Sequence, residues 1–222
     1  MDEIFTTAAG KLKFAVIPVT PLAQNCTLWW DDVSLEGVII DPGGDLDHIQ
    51  SVIMKAGMTP VKILLTHGHI DHAGGAADLK DKYDVEIHGP HIADKFLLEG
   101  MTRQTPQFGL RVRDVTPDRW LSDGDVVNVA GNPFEVRHCP GHTPGSVVFI
   151  SHKHKLMVTG DTLLRGRIGS TDVAYANKAE LIKSINARLL PLGDDYSFIC
   201  GHGDGSSIGH ERHTNPDLKD ES

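Results

Sequence analysis

Seven residues in four short stretches have the types and spacing that do chemistry. His67, His69, Asp71 and His72 stand in Thr66-His67-Gly68-His69-Ile70-Asp71-His72, and His142 in Pro140-Gly141-His142-Thr143-Pro144-Gly145. Asp161 follows in Thr159-Gly160-Asp161-Thr162, and His202 in Cys200-Gly201-His202-Gly203. Imidazole and carboxylate are the ligands that suit zinc, iron or manganese. The four donors between 67 and 72 crowd one loop too tightly for a single closed structural site. They divide naturally between two adjacent ions.

The elements around these residues decide whether they can meet. VKILLT (61–66) reads as a buried strand running straight into the histidine stretch. Strands expected at 134–138, 156–159 and 197–200 each end just before His142, Asp161 or His202, with glycine alongside. Glycine lets backbone and ligand approach closely, so these strand ends can converge on one rim. Further strands are expected at 12–19, 25–30, 37–40, 85–88, 126–129 and 146–150. Leu46, Ile49, Val52, Ile53 and Ala56 recur at helical spacing, with Asp45 as N-cap and Gly57 as stop. Other helices are expected near 75–82, 90–99 and 178–189. Residues 100–118 lack a clear period and read as one long loop, in which Phe108 is a candidate cover for a substrate's acyl group. Strands in two runs, each followed by helices, suggest packed sheets with helices outside.

Composition narrows the function. The 222 residues, 40% apolar, suit one globular domain, 1–222, with a polar tail from about 214 expected to fray. A formal charge of −9 argues against a nucleic-acid partner, and no apolar run approaches the roughly 20 residues of a bilayer crossing. Met1-Asp2-Glu3 is acidic where a secretory signal would be basic, and Cys26, Cys139 and Cys200 form no CxxC pair. Both point to a cytoplasmic address. The cysteines read as small core residues. His48, His88, His91, His152, His154 and His213 read as solvated or hydrogen-bonded side chains. Asp41, in Ile-Ile-Asp-Pro-Gly-Gly, either orients a ligand imidazole or shapes a turn.

The ordered set THxHxDH, His, Asp, His resembles the metallo-β-lactamase superfamily, and within it the glyoxalase II group of hydroxyacylglutathione hydrolases, over about residues 12–216. The resemblance implies an α/β fold, an αββα sandwich of two mixed β-sheets with helices on the outer faces. It implies two divalent metal ions, zinc foremost with iron or manganese as alternatives. His67, His69 and His142 would bind one ion, Asp71, His72 and His202 the other, and Asp161 both. A metal-bridging hydroxide would then attack a carbonyl, with Asp71 and Asp161 as the catalytic carboxylates.

The leaving group selects the reaction. A thiolate, with a pKa of about 8.5, departs with metal assistance alone, whereas an alkoxide or amine wants a general acid. The expected substrate is therefore a small-molecule thioester, and the glyoxalase II resemblance implies a glutathione conjugate such as S-lactoylglutathione. Two features depart from the longer glyoxalase II enzymes. Few residues follow His202, and Gly166-Arg167-Ile168-Gly169-Ser170-Thr171-Asp172 lacks the lysine and tyrosine those enzymes present to glutathione. Arg165 or Arg167 is a candidate substitute. FGL (108–110), TPDRW (116–120) and the stretch from Gly209 to Pro216 resemble short bacterial members. The alternative is a persulfide dioxygenase of the same superfamily, resembled in LLRG (163–166) and Thr171-Asp172. It would hold one iron on His67, His142 and Asp161.

Overall fold

A computed structural model describes residues 4–6, 11–103 and 112–219. The first sheet takes β1 (Ile4–Thr6), β2 (Leu12–Val19), β3 (Gln24–Asp31), β4 (Glu36–Ile40), β5 (Thr59–Leu64) and β6 (Glu86–His88), in that spatial order. Its first four strands are antiparallel neighbours, while β4, β5 and β6 run parallel. The parallel connections are helical, through Leu46–Ala56 and through Ile70–Ala73 and Ala76–Tyr83. Asp45 and Gly57 bound the first helix in left-handed conformations, the positions that the sequence assigns to its cap and stop.

The second sheet contains β7 (Val126–Val129), β8 (Asn132–His138), β9 (Val147–Ser151), β10 (Leu156–Gly160), β13 (Ser197–Cys200) and β14 (Ser206–Ser207). They are ordered β14-β13-β10-β9-β8-β7, with β10 and β13 parallel and the rest antiparallel. Between β10 and β13 lie a small hairpin, β11 (Leu163–Leu164) with β12 (Arg167–Ile168), and the helix Lys178–Ser184.

Alternation along the strands sorts apolar side chains into three layers. Trp29, Val38, Ile40 and Leu64 of the first sheet meet Phe134, Val136, Phe149 and Ile199 of the second. On the opposite faces, Ile17, Leu28, Ile39 and Ile63 pack under Ile49, Val52 and Leu79. Val148, Ile150, Met157 and Phe198 pack under Leu181, Ile185 and Leu189. Both faces of each sheet are buried, which is why β9 reads as a nearly unbroken apolar run, and β3 is buried along almost its whole length despite its polar first residues. This is the α/β sandwich of two mixed sheets, helices outside, that the sequence resemblance implies.

Three expectations need correction. The helix expected over 90–99 is a 3₁₀ turn, Ile92–Asp94, followed by one short turn, Lys95–Leu98, because Asp94 leaves helical geometry to point inward. The helix expected to 189 gives way after Ser184 to a π-helical stretch, Ile185–Leu189, and Pro191 then enforces a stop. The tail does not fray at 214. Asn215 is fully buried against Glu211, and Leu218 packs on the second helical layer. Phe108 and the FGL stretch lie outside the described residues.

Candidate active site

The seven sequence-selected residues come together at one end of the sandwich. Leu64 ends β5 before the loop of His67 and His69, and Ile40 ends β4 before Asp41. His138 ends β8 before His142, Gly160 ends β10 before Asp161, and Cys200 ends β13 before His202. Every one of these is a strand's carboxyl end. Hydrogen bonds lock the two sheets together there, from Val147 N–H to the Thr66 carbonyl and from Asn25 N–H to the Gly201 carbonyl. Gly201 is required for the approach: a Cβ on it would lie 2.0 Å from Asp161 Oδ1 and 2.7 Å from His72 Cε1.

Two donor sets result. His67 Nε2 and His142 Nε2 lie 3.1 and 3.0 Å from His69 Nδ1. In the other set, His202 Nε2 is 3.3 Å from Asp71 Oδ2, and His72 Nε2 is 3.9 Å from the same oxygen. Asp161 lies between them, Oδ2 being 3.6 Å from His142 Nε2 and 3.4 Å from His202 Nε2, and Oδ1 3.5 Å from His72 Nε2.

The outward nitrogens explain the inward ones. His67 Nδ1 donates to Thr66 Oγ1 (3.0 Å), which donates in turn to Asp41 Oδ2 (2.5 Å). His72 Nδ1 donates to the same Asp41 oxygen at 2.9 Å. His142 Nδ1 donates to the Ser170 carbonyl at 2.7 Å, His202 Nδ1 to the Leu22 carbonyl at 3.1 Å, and His69 Nε2 to the Tyr175 hydroxyl at 2.9 Å. With each N–H used outward, each inward nitrogen presents a lone pair. Ligating histidines characteristically show this arrangement.

These residues fit metal ions. Five inward imidazole nitrogens and two carboxylates converge, and His72 Nε2 and Asp161 Oδ1 are buried without any hydrogen-bond partner. The 3.0–3.1 Å separations in the first set approach the ~3.3 Å edge of a tetrahedron of zinc–nitrogen bonds. Asp41, His67 and His72 form a third close group. Its contacts are hydrogen bonds through the outward nitrogens, so Asp41 orients imidazoles, the first of the two roles that the sequence leaves open.

The electrostatics divide the same way. Burial holds His67 well below the ordinary imidazole value and His69 at about 3, and it lowers His142 too. These three imidazoles are neutral. Burial opposes charge at His72 and His202 as well, but Asp161 and Asp71 overcome it, raising His72 well above its usual value and His202 to about 9. Asp161, although mostly buried, is held well below the carboxylate range by His72 and His202. The second set thus demands positive charge.

Two further residues reach the site without a sequence signal. Tyr175 touches His69 across 106 positions and stacks edge-on with Phe96, ring centroids 5.4 Å apart. Asp94 is fully buried behind the loops of His67 and His142. Arg165 pairs with Asp204, while Arg167 is exposed on β12. The three cysteines are buried and free, and among the described residues no helix is long and apolar enough to cross a membrane. His88, His152 and His154 make hydrogen bonds away from the site, and His91 stacks on His138.

Comparison with known proteins agrees with this geometry. The family model of the metallo-beta-lactamase superfamily matches residues 19–203. Hydroxyacylglutathione hydrolase GloC of Haemophilus influenzae is 44% identical over 213 residues, covering 95% of this chain and 100% of that protein. Among solved structures, the B3 metallo-beta-lactamase BLEG-1 superposes with a TM-score of 0.85, at 30% identity over 93% of this chain and 100% of that one. TTHA1623 in a di-iron-bound form gives 0.81, at 34% identity over 90% and 98%. The chain belongs to the metallo-beta-lactamase superfamily, in its glyoxalase II-like group.

Proposed function

We propose that the protein is a dinuclear metal-dependent thioester hydrolase, with S-lactoylglutathione and related hydroxyacylglutathiones as substrates and zinc as the metal. The observation that carries the reading is that all five site imidazoles spend one nitrogen on an outward hydrogen bond and aim the other inward. His67, His69 and His142 would hold one ion and Asp71, His72 and His202 the other, with Asp161 available to both. The hydroxyacylglutathione hydrolase named among the relatives supports the substrate class. The three free buried cysteines suit a reducing, cytoplasmic setting, and residues 1–222 act as one domain.

Bound divalent ions supply Lewis acidity and bring the pKa of a bound water towards ~7. The chain's own groups do the rest. Burial keeps His67, His69 and His142 neutral, so their lone pairs stay available. Asp71 is ionised and accepts a hydrogen bond from the attacking water, aligning it on the substrate carbonyl. Asp161, with an oxygen towards each set, holds their separation fixed. Asp41 and Tyr175 keep the imidazoles in the tautomers that ligation needs. No protein acid has to protonate the leaving group, since a thiolate, with a pKa of about 8.5, departs without a proton.

The dioxygenase alternative uses His67, His142 and Asp161 and leaves Asp71, His72 and His202 without a role, although the three form a complete donor set. The hydrolase reading employs all seven. Release of thiol from S-lactoylglutathione by zinc-loaded protein, lost on chelation and restored by zinc, tests it. Hydrolysis unaffected by complete metal removal would defeat it.

A further inference from the structure

Three polar or glycine positions of the histidine motifs share a partner that is not an imidazole. They are Gly68 in the first histidine loop, and Thr143 and Gly145 in the loop of His142. All three converge on one side chain. Asp94 Oδ2 accepts from the Gly68 N–H at 2.8 Å and from Thr143 Oγ1 at 2.7 Å, and its Oδ1 accepts from the Gly145 N–H at 2.6 Å. The carboxyl has no solvent exposure. Two loops 26 and about 50 residues away in sequence are therefore fastened to a single carboxylate.

The packing around it shows that the contact is built in. A Cβ at position 145 would stand 2.5 Å from Asp94 Cγ, and one at position 68 would stand 3.3 Å from Asp94 Cβ and 2.8 Å from Leu97 Cβ. Only glycine at both places lets the loops close on Asp94. Gly68 lies between His67 and His69, and Thr143 is next to His142. The carboxylate thus sets the relative position of all three imidazoles of the first donor set. His72 and His202 are held by other contacts, through Asp41 and the Leu22 carbonyl. Burial, opposed by the three donors, leaves the Asp94 carboxyl raised to about 6, so near neutrality it is a carboxylate with every donor satisfied.

We propose that Asp94 is the positioning residue of the first metal set: it clamps the His67–His69 loop to the His142 loop and so tunes affinity at that set alone. The inference rests on the dinuclear metal-site reading. Its chemistry is that of supporting contacts, whose removal typically weakens a metal site by about 10–100-fold.

The test is a titration of the metal-free full chain with zinc against a chromophoric chelator, alongside cobalt(II) visible spectra. His142→Ala and His202→Ala supply the signatures of losing the first and the second set. Asp94→Asn keeps the side chain's size but sets an amide N–H₂ against donors. It should weaken the first-set equivalent by about 10–100-fold, reproduce the His142→Ala spectral change in part, and leave the second equivalent and the circular dichroism unchanged. Two equivalents at native affinity in folded Asp94→Asn would overturn the proposal, as would equal weakening of both sets. If Asp94→Asn does not fold, Thr143→Val decides. It removes one of the three donors and should weaken the first set several-fold, and an unchanged first set overturns the clamp. Wild-type protein that takes up no metal would remove the functional reading itself, a result distinct from normal wild type with an indifferent variant.

Discussion

Asp161 faces imidazole nitrogens of both donor sets within 3.6 Å, so one carboxylate ties the sets electrostatically and geometrically. Asp161→Asn should weaken both metal equivalents together, whereas a change at His142 or His202 should weaken one. Equilibrium dialysis with zinc separates these outcomes. Tyr175→Phe removes only the acceptor for the His69 N–H. It should lower first-set affinity or activity by about tenfold without moving the thermal midpoint, and an unchanged zinc titration would rule out that role. The clustering of the seven histidines and aspartates was legible because few residue types can ligate metal and because each stands beside a predicted strand end. Asp94 and Tyr175 were not. An aspartate beside Lys95 or a tyrosine between alanines carries no mark of its partners, which come from 26 to 106 residues away. Asp41 fell between, being visible as a residue but undecided in role until its hydrogen bonds to Thr66 and His72 were seen.

Strands were easier to read than helices for a physical reason. Runs such as β9 are buried on both faces, so apolar content alone marks them. Phe149 lies between the sheets and Val148 beneath the helical layer. Phe149→Ala should therefore cost about 3–5 kcal/mol, visible as a lowered denaturant midpoint with an unchanged slope. A loss under about 1 kcal/mol would show that the inter-sheet layer had been misjudged. The helix breaks at Asp94 and Ser184 were illegible, since apolar periodicity runs through both and only tertiary contacts interrupt it. On the second sheet, Arg137 pairs with Glu135 and also donates to the Arg188 carbonyl at the end of the π-helical stretch. Its hydrogen bond, with help from His152, holds Glu135 below the usual carboxylate range. The stability this contributes is present above the unfolded value of about 4.3 and is lost as pH falls through the folded one. Because the pair is partly exposed, the contribution is within about 1 kcal/mol. Glu135→Gln should flatten the acid side of the thermal-midpoint profile of chelated protein and barely move the neutral side. A profile parallel to wild type would contradict this.

At the scale of the whole molecule, a charge of −9 surrounds a site that itself demands cations, and among the described residues the exposed Arg167 is the candidate left to grip an anionic tripeptide. Arg165 is engaged with Asp204, and Tyr175 is turned to His69. Charge-assisted hydrogen bonds are worth about 1.5–3 kcal/mol each. Without the lysine and tyrosine of longer relatives, KM for S-lactoylglutathione should be well above theirs, with measurable turnover of other acyl thioesters. Strict dependence on glutathione with a low micromolar KM would show a grip that the described residues do not provide.

The central claim is two metal sets serving one hydrolysis, and His202 tests it most directly because the dioxygenase reading gives that residue nothing to do. Wild type and His202→Ala are loaded with zinc for S-lactoylglutathione hydrolysis, and anaerobically with iron for oxygen uptake on glutathione persulfide, with metal counted per chain. The account predicts two zinc equivalents and hydrolysis in wild type. The variant should keep one equivalent, native circular dichroism and little hydrolysis, and neither protein should take up oxygen substantially. One iron per chain, rapid oxygen uptake by both proteins and thioester hydrolysis by neither would contradict it.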